Sequence, residues 1–184
     1  MNWQPAFVLN AILDAEVAAA RGWALSDLAD ALLAGGARFL QLRLKQAPGG
    51  AFLDAAVAIT ARVHAAGGVL IVNDRPDIAC LAGADGVHVG QDDLTPTACR
   101  RVCGTVAIIG MSTHDEPELA RALREPVTYV ATGPVYPTAT KETVVSQVGL
   151  AEVQRVSTLA SPLGLPVVAI GGITLERAPE VLAA

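Results

Sequence analysis

The sequence predicts an α/β protein, a (β/α)8 TIM barrel that stops before its eighth strand and occupies residues 1–184 as one domain. Three observations lead there. Short apolar runs alternate with amphipathic segments that end in Gly. Polar or Gly-rich residues close strand candidates two through seven. One candidate carries a polar stripe on the face opposite its leucines. Strict alternation with short connections implies parallel strands joined by helical crossovers. An open doubly wound sheet gathers its ligand groups near one switch point of strand order. A barrel gathers them from the C-terminal ends of many strands, as this sequence does.

In order, the strand candidates are Ala6–Leu13, Arg38–Leu44, Val69–Val72, Gly86–Val89, Val106–Gly110, Thr128–Thr132 and Pro166–Ile170. Helical patterns lie between them. Phe52, Ala56, Ile59 and Val63 fall at helical spacing and give one segment an apolar face. Gly35-Gly36 and Gly67-Gly68 stand where helix C-caps belong. A last helix is expected over Leu175–Ala184, where an eighth strand would follow next. An open barrel would leave its first and seventh strands unpaired, and such edges favour association into a homo-oligomer. No linker, low-complexity stretch or charge block marks a second domain.

Composition narrows the functional class. With 52% hydrophobic and 17% charged residues in 184, the chain has ample material for one core. A net charge of −5 argues against a general affinity for nucleic acid. No apolar run reaches the roughly 18 residues of a membrane span. The segment Met1-Asn2-Trp3-Gln4-Pro5 lacks the basic character of a secretory signal, so a cytoplasmic protein is expected. Cys80, Cys99 and Cys103 are few and odd in number, which suits a reducing compartment. Cys99 and Cys103 lie one helical turn apart without a second pair at zinc-site spacing, so all three are expected as buried thiols.

The clearest chemical signal is Gln41-Leu42-Arg43-Leu44-Lys45. At the strand period of two, Leu40, Leu42 and Leu44 share one face, and Gln41, Arg43 and Lys45 the other. In a barrel the leucines pack under helices while the polar three point inward. Two cations aimed into an interior are costly unless they meet an anion. The plainer reading is an ion-paired structural strand, which requires nearby carboxylates to serve both cations.

Asn73-Asp74 ends the third strand, and His88-Val89-Gly90-Gln91-Asp92-Asp93 continues the fourth. Carboxylates at neighbouring strand ends suit a hard cation such as Mg²⁺, whose shell water and substrate phosphate complete. Turn formation and helix capping explain the same residue types equally well. After the fifth strand come Ser112 and His114, with no acid in a specified relation that would make a nucleophile triad. His88 reads as structural and His64 as a helix-surface residue. Gly133-Pro134-Val135-Tyr136-Pro137-Thr138-Ala139-Thr140-Lys141 has the composition of a phosphate loop, or of an ordinary Pro-rich surface loop. Gly171-Gly172 would let a phosphate approach the backbone and the helix that follows.

Six motifs occur in one order: Gln41-Leu42-Arg43-x-Lys45, Asn73-Asp74, the run Gly86 to Leu94, Gly110 to His114, Gly133 to Lys141, and Ala169 to Ile173. Together they resemble the thiamine-phosphate synthase family from the second strand onward. The resemblance implies a transferase that joins a pyrimidine diphosphate to a thiazole phosphate and releases pyrophosphate. It assigns Gln41 and Ser112 to the aminopyrimidine, and Arg43, Lys45, Asn73 and Lys141 to the diphosphate. It gives Asp74 and Asp93 to Mg²⁺, and Thr138, Thr140 and the Gly171-Gly172 backbone to the thiazole phosphate. Arg43, Lys45, Lys141 and Ser112 would carry the chemistry. Leu44 departs from the acid common at its position. Other readings are a thiazole tautomerase on the same fold, using His114, a non-catalytic binder of phosphate ligands, and a generic sugar-phosphate barrel enzyme. The last leaves the Gln41-Arg43-Lys45 stripe unexplained, and the first has no use for the diphosphate and metal groups.

Overall fold

A computed structural model describes residues 9–105, 107–138 and 147–184. The chain alternates as expected: β1 (Asn10–Asp14), α1 (Ala15–Ala20), α2 (Leu25–Ala34), β2 (Phe39–Arg43), α3 (Gly49–Ala65), β3 (Val69–Asn73), α4 (Pro76–Leu81) and β4 (Gly86–Val89). It continues with α5 (Pro96–Cys103), β5 (Ile108–Thr113), α6 (Glu116–Ala122), β6 (Tyr129–Thr132), α7 (Gly149–Ala160), β7 (Val167–Ala169) and α8 (Ala178–Leu182). The seven strands form one sheet in the order β1 to β7, every neighbouring pair parallel. Sequential order with right-handed crossovers puts all helices on one face and curls the other into an interior. The result is a TIM-barrel-like half-barrel, and among the described residues β1 and β7 do not pair with each other.

Two apolar layers follow from the strand period. Leu40, Leu42, Leu70, Val72, Val87, Val89, Ile109, Met111 and Val130 face the helices and form the large core. Phe52, Ala56, Ile59 and Val63 of α3 pack into it, as their spacing predicts. Burial of each large aliphatic or aromatic side chain among them contributes about 1.5–3 kcal/mol. On the inner face Phe39, Ile71, Ile108 and Tyr129 form a smaller cluster that plugs the base of the half-barrel.

Local signals set the ends. Thr95 accepts from the Ala98 N–H and Pro96 fills the first turn, which starts α5. Gly36 and Gly67 take positive φ after α2 and α3, the conformation expected of glycines at helix ends. Several boundaries differ from the sequence reading, two of them by three residues. Residues 1–8 and Val106 lie outside the described residues. The fifth strand runs on to Thr113, because Gly110 clears space for a neighbouring ring and leaves the ladder to β6 intact. The last helix is only five residues long, starting at Ala178 in place of Leu175, and none of its side chains is buried.

The cysteines need a correction as well. Cys99 is buried and Cys103 half-buried, but Cys80 is exposed, because α4 turns Pro76, Ile78 and Ala79 inward. Burial pushes the Cys99 thiol up to about 11. Burial and the adjacent Cys80 push Cys103 up to about 12. A thiol reagent at neutral pH should therefore label one cysteine of the native protein quickly and the other two only on unfolding. Peptide mapping by mass spectrometry checks this, and rapid native labelling of Cys99 would contradict the burial.

Candidate active site

The strand stripe behaves as its period requires. Leu40 and Leu42 lie in the helix-facing core and Leu44 packs against it, while Gln41 is buried on the inner face. Register then sets inward residues side by side. Asp14 of β1 is level with Arg43 of β2, Asn73 of β3 with His88 of β4, and His88 with Gly110 of β5. Gly110 is in turn level with Tyr129 of β6.

Both cations of the stripe have carboxylate partners. Arg43 Nη1 donates to Asp14 Oδ2 at 2.5 Å, with Glu16 at 3.9 Å. Asp14 also accepts from the Glu16 and Val17 N–H groups at 3.0 Å, so one carboxylate caps α1 and orients the guanidinium. Lys45 pairs with Asp74. The condition for the plainer, ion-paired reading is thus met, by two carboxylates at the same rim of the sheet as the cations. Asp14 was not among the residues the sequence singled out. Its signal was an acid closing a strand directly before Ala-rich helix residues, a pattern that capping alone explains.

Asp74 sits at φ 64, the only positive φ among the described non-glycine residues. Asp tolerates this region better than most residues, yet such positions cost roughly 1–3 kcal/mol unless their surroundings hold them. The Asp74 N–H donates to the His88 carbonyl at 2.8 Å. Its carboxylate pairs with Lys45 and is near enough to Asp93 to raise that carboxyl's pKa. Asp93 does not cap α5; its Oδ2 accepts from the Gly90 N–H at 2.7 Å. Its carboxyl titrates above the ordinary range, first because it is partly buried and further because Asp74 is close, against the pull of Gly90 and Lys45. Two carboxylates held together in a partly dry rim are a hard-oxygen donor set that fits Mg²⁺. Among the described residues no group of three or more His, Cys, Asp or Glu converges on a metal position. Two protein ligands, with substrate and water oxygens completing the shell, is the usual arrangement for that ion.

Toward the other end of the site, Ser112 lies at the C-terminal part of β5, half-buried. Its Oγ is 2.8 Å from His88 Nε2, and His88 Nδ1 is 2.8 Å from the Tyr129 hydroxyl. Gln91 donates to the Ser112 carbonyl at 2.6 Å, and Arg121 in turn donates to Gln91 Oε1 at 2.9 Å. His114 is held by Glu118, whose carboxylate accepts from both its backbone N–H and Nδ1 at 2.8 Å. His64 is on the surface of α3, paired with Asp85 at 2.9 Å.

Asn73 is buried at the end of β3, and Thr138 is half-buried at the last described position of its loop. Thr140 and Lys141 lie outside the described residues. The loop after β6 is stitched to the end of β7: Val135 donates to the Ile170 carbonyl at 2.9 Å and Tyr136 to Gly171 at 3.0 Å. A Cβ on Gly171 would come within 2.5 Å of Pro134 Cβ, and one on Gly172 within 2.5 Å of the Pro137 carbonyl. Close loop packing therefore requires these two glycines independently of any phosphate. The helix N-terminus expected directly after them is also displaced, since α8 begins only at Ala178.

Comparison with known proteins accords with this geometry. The family model described as thiamine monophosphate synthase matches residues 9–184. A thiamine-phosphate synthase of Methanoculleus marisnigri is 43% identical over 89% of this chain and 76% of its own length. One of Azorhizobium caulinodans is 39% identical over 96% of this chain and 81% of its own. Among solved structures, a thiamine phosphate pyrophosphorylase of Pyrococcus furiosus superposes with a TM-score of 0.81 at 28% identity, over 95% of this chain and 79% of that one.

Proposed function

This chain belongs to the thiamine monophosphate synthase family, and we propose that the rim formed by the ends of β2, β3 and β4 is where its diphosphate substrate reacts. The reaction is that of a thiamine-phosphate synthase: a hydroxymethylpyrimidine diphosphate and a hydroxyethylthiazole phosphate give thiamine phosphate and pyrophosphate. The enzyme is a transferase, and among the described residues no helix is long and apolar enough to cross a membrane.

The observation that carries the site assignment is the proximity of Lys45, Asp74 and Asp93, with Arg43, paired to Asp14, at the end of the strand that leads to Lys45. Arg43, Lys45 and Asn73 bind the diphosphate, and Lys141 joins them from its loop. The ion pairs with Asp14 and Asp74 hold the two cations near the rim until the more highly charged diphosphate competes for them. Gln41 and Ser112 orient the aminopyrimidine, whose methylene carbon loses pyrophosphate and is captured by the thiazole nitrogen. Positive charge placed where the leaving group gains negative charge lowers this barrier, and no general base is needed to begin. Thr138, Thr140 and the backbone at Gly171-Gly172 receive the thiazole phosphate. Asp74 and Asp93 would hold Mg²⁺, which supplies further positive charge to the leaving pyrophosphate. In the finer architectural reading, the seven βα units correspond to consecutive units of a (β/α)8 barrel.

The test is formation of thiamine phosphate from both purified substrates, with Mg²⁺ and with chelator. Product expected with Mg²⁺ should fall by about a hundredfold or more on chelation and return when the ion is restored. Chelator-resistant turnover would remove the metal from this reading. Pyrimidine diphosphate binding without turnover would make the chain a binder of the same ligand.

A further inference from the structure

We propose that His88, oriented by Tyr129, is a positioning residue that fixes the Ser112 hydroxyl as a hydrogen-bond donor toward the aminopyrimidine. The proposal rests on the assignment of Ser112 to that ring. It begins from three strands in register. His88, Gly110 and Tyr129 occupy one level of β4, β5 and β6, all inward. Gly110 is required at the centre: a Cβ there would run into the Tyr129 ring and lie 2.5 Å from His88 Nδ1. The glycine thus opens a slot through which the histidine and tyrosine of the flanking strands meet. Their rings stack with centroids 5.5 Å apart and an interplanar angle of 26°.

The chain of hydrogen bonds, Tyr129 hydroxyl to His88 to Ser112, has a preferred direction. A neutral imidazole offers one donor and one acceptor, so its two bonds run in opposite senses. Tyr129 is fully buried, and burial pushes its hydroxyl well above the ordinary phenol range, so it keeps its proton. A phenol is a strong donor and a weak acceptor, and an imidazole nitrogen is the better base. Tyr129 therefore donates to Nδ1, which leaves the ring proton on Nε2. Nε2–H donates to Ser112 Oγ at 2.8 Å. With one lone pair occupied from within the barrel, the Ser112 proton is turned outward. Gln91 and Arg121 fix the peptide that carries it.

A serine held in this sense recognises an acceptor, such as a ring nitrogen of a pyrimidine, and not the exocyclic amino group, which is a donor. Gln41 has an amide that can supply the acceptor for that group. The sequence reads His88 as a structural residue of its strand; its bonds to the Tyr129 hydroxyl and to Ser112 Oγ add the positioning role proposed here.

Two measurements test the proposal. In the wild-type protein labelled with ¹⁵N-histidine, the side-chain resonances of His88 should report the Nε2–H tautomer; the Nδ1–H tautomer or a doubly protonated ring would overturn the direction. In kinetics, Tyr129→Phe should lower kcat/KM for the pyrimidine diphosphate about tenfold and leave KM for the thiazole phosphate nearly unchanged, while the loss of a buried donor to His88 Nδ1 lowers the melting temperature by several degrees without unfolding the protein. Adding Tyr129→Phe to Ser112→Ala should cost nothing further, because the hydroxyl it orients is gone. Independent, multiplying losses would overturn the proposal while leaving Ser112 in the site. An unchanged kcat/KM for Ser112→Ala alone would overturn the assignment of Ser112 itself, and this proposal with it. The tautomer measurement stands even if a variant fails to fold.

Discussion

Asp74→Asn should lower kcat about a hundredfold or more while shifting the melting temperature by only a few degrees. The carboxylate pairs with Lys45 and lies near Asp93, so its charge acts on both the cation and the second acid of the rim. Losing a charged group that acts on a developing leaving-group charge costs about 10²–10³ in rate. The fold should tolerate the exchange for two reasons. Asn has nearly the same shape as Asp and shares its tolerance of the positive φ at this position. Lys45 is 42% exposed in its side chain, so solvent compensates most of the lost ion pair. Steady-state kinetics at saturating Mg²⁺ and both substrates, alongside a thermal melt, separate the outcomes. Near-native turnover would take Asp74 out of the site. Loss of folding would make the pair with Lys45 a structural bridge, the alternative that the strand stripe left open.

Gly86→Ala should be the more severe change for stability. An added Cβ at this inward position of β4 would overlap the Ile108 carbonyl and sit 2.6 Å from its carbon and 2.8 Å from its Cα. These are backbone atoms of the paired strand, so relief requires moving β4 away from β5 and opening the ladder between them. Overpacking of this kind costs about 3 kcal/mol or more, which for a chain of this size lowers the melting temperature by roughly 6–12 °C. Gly50→Ala in α3 is the matched control. Nothing lies within 4 Å of its added Cβ and its φ is not positive. Alanine should raise helix stability there by up to about 1 kcal/mol. Equal melting temperatures for the two variants would mean that the strand register at Gly86 is wrong.

Much of this protein could be read from its residues because two periods dominate it. Alternation along β2 separated Leu40 and Leu42 from Gln41 and Arg43, and the two leucines lie in the helix-facing core while Gln41 is buried on the opposite face. Helical spacing in α3 put Phe52, Ala56, Ile59 and Val63 on the core side. Short crossovers between parallel strands then left little choice of topology. The boundaries were harder. Gly110 reads as a strand end when glycine is taken only as a breaker, yet the ladder to β6 continues to Thr113. The cause is a neighbour, the Tyr129 ring, that local sequence does not contain.

The candidate site divides along the same line. The strand period put Gln41, Arg43 and Lys45 on one face, strand-end position drew attention to Asp74, Asp93 and Ser112, and the family resemblance implied their roles. Partners across strands were not legible. Asp14 lies 29 positions from the arginine it orients, and Tyr129 lies 41 positions from His88. The same holds for Gly171 and Gly172, whose need for glycine comes from the loop packed on them. The sequence by itself determined the order of elements, the inward and outward faces, and the chemical character of the rim. Only tertiary structure decided which carboxylate meets which cation and which hydroxyl a buried histidine holds, since register between strands is fixed by the packed sheet as a whole.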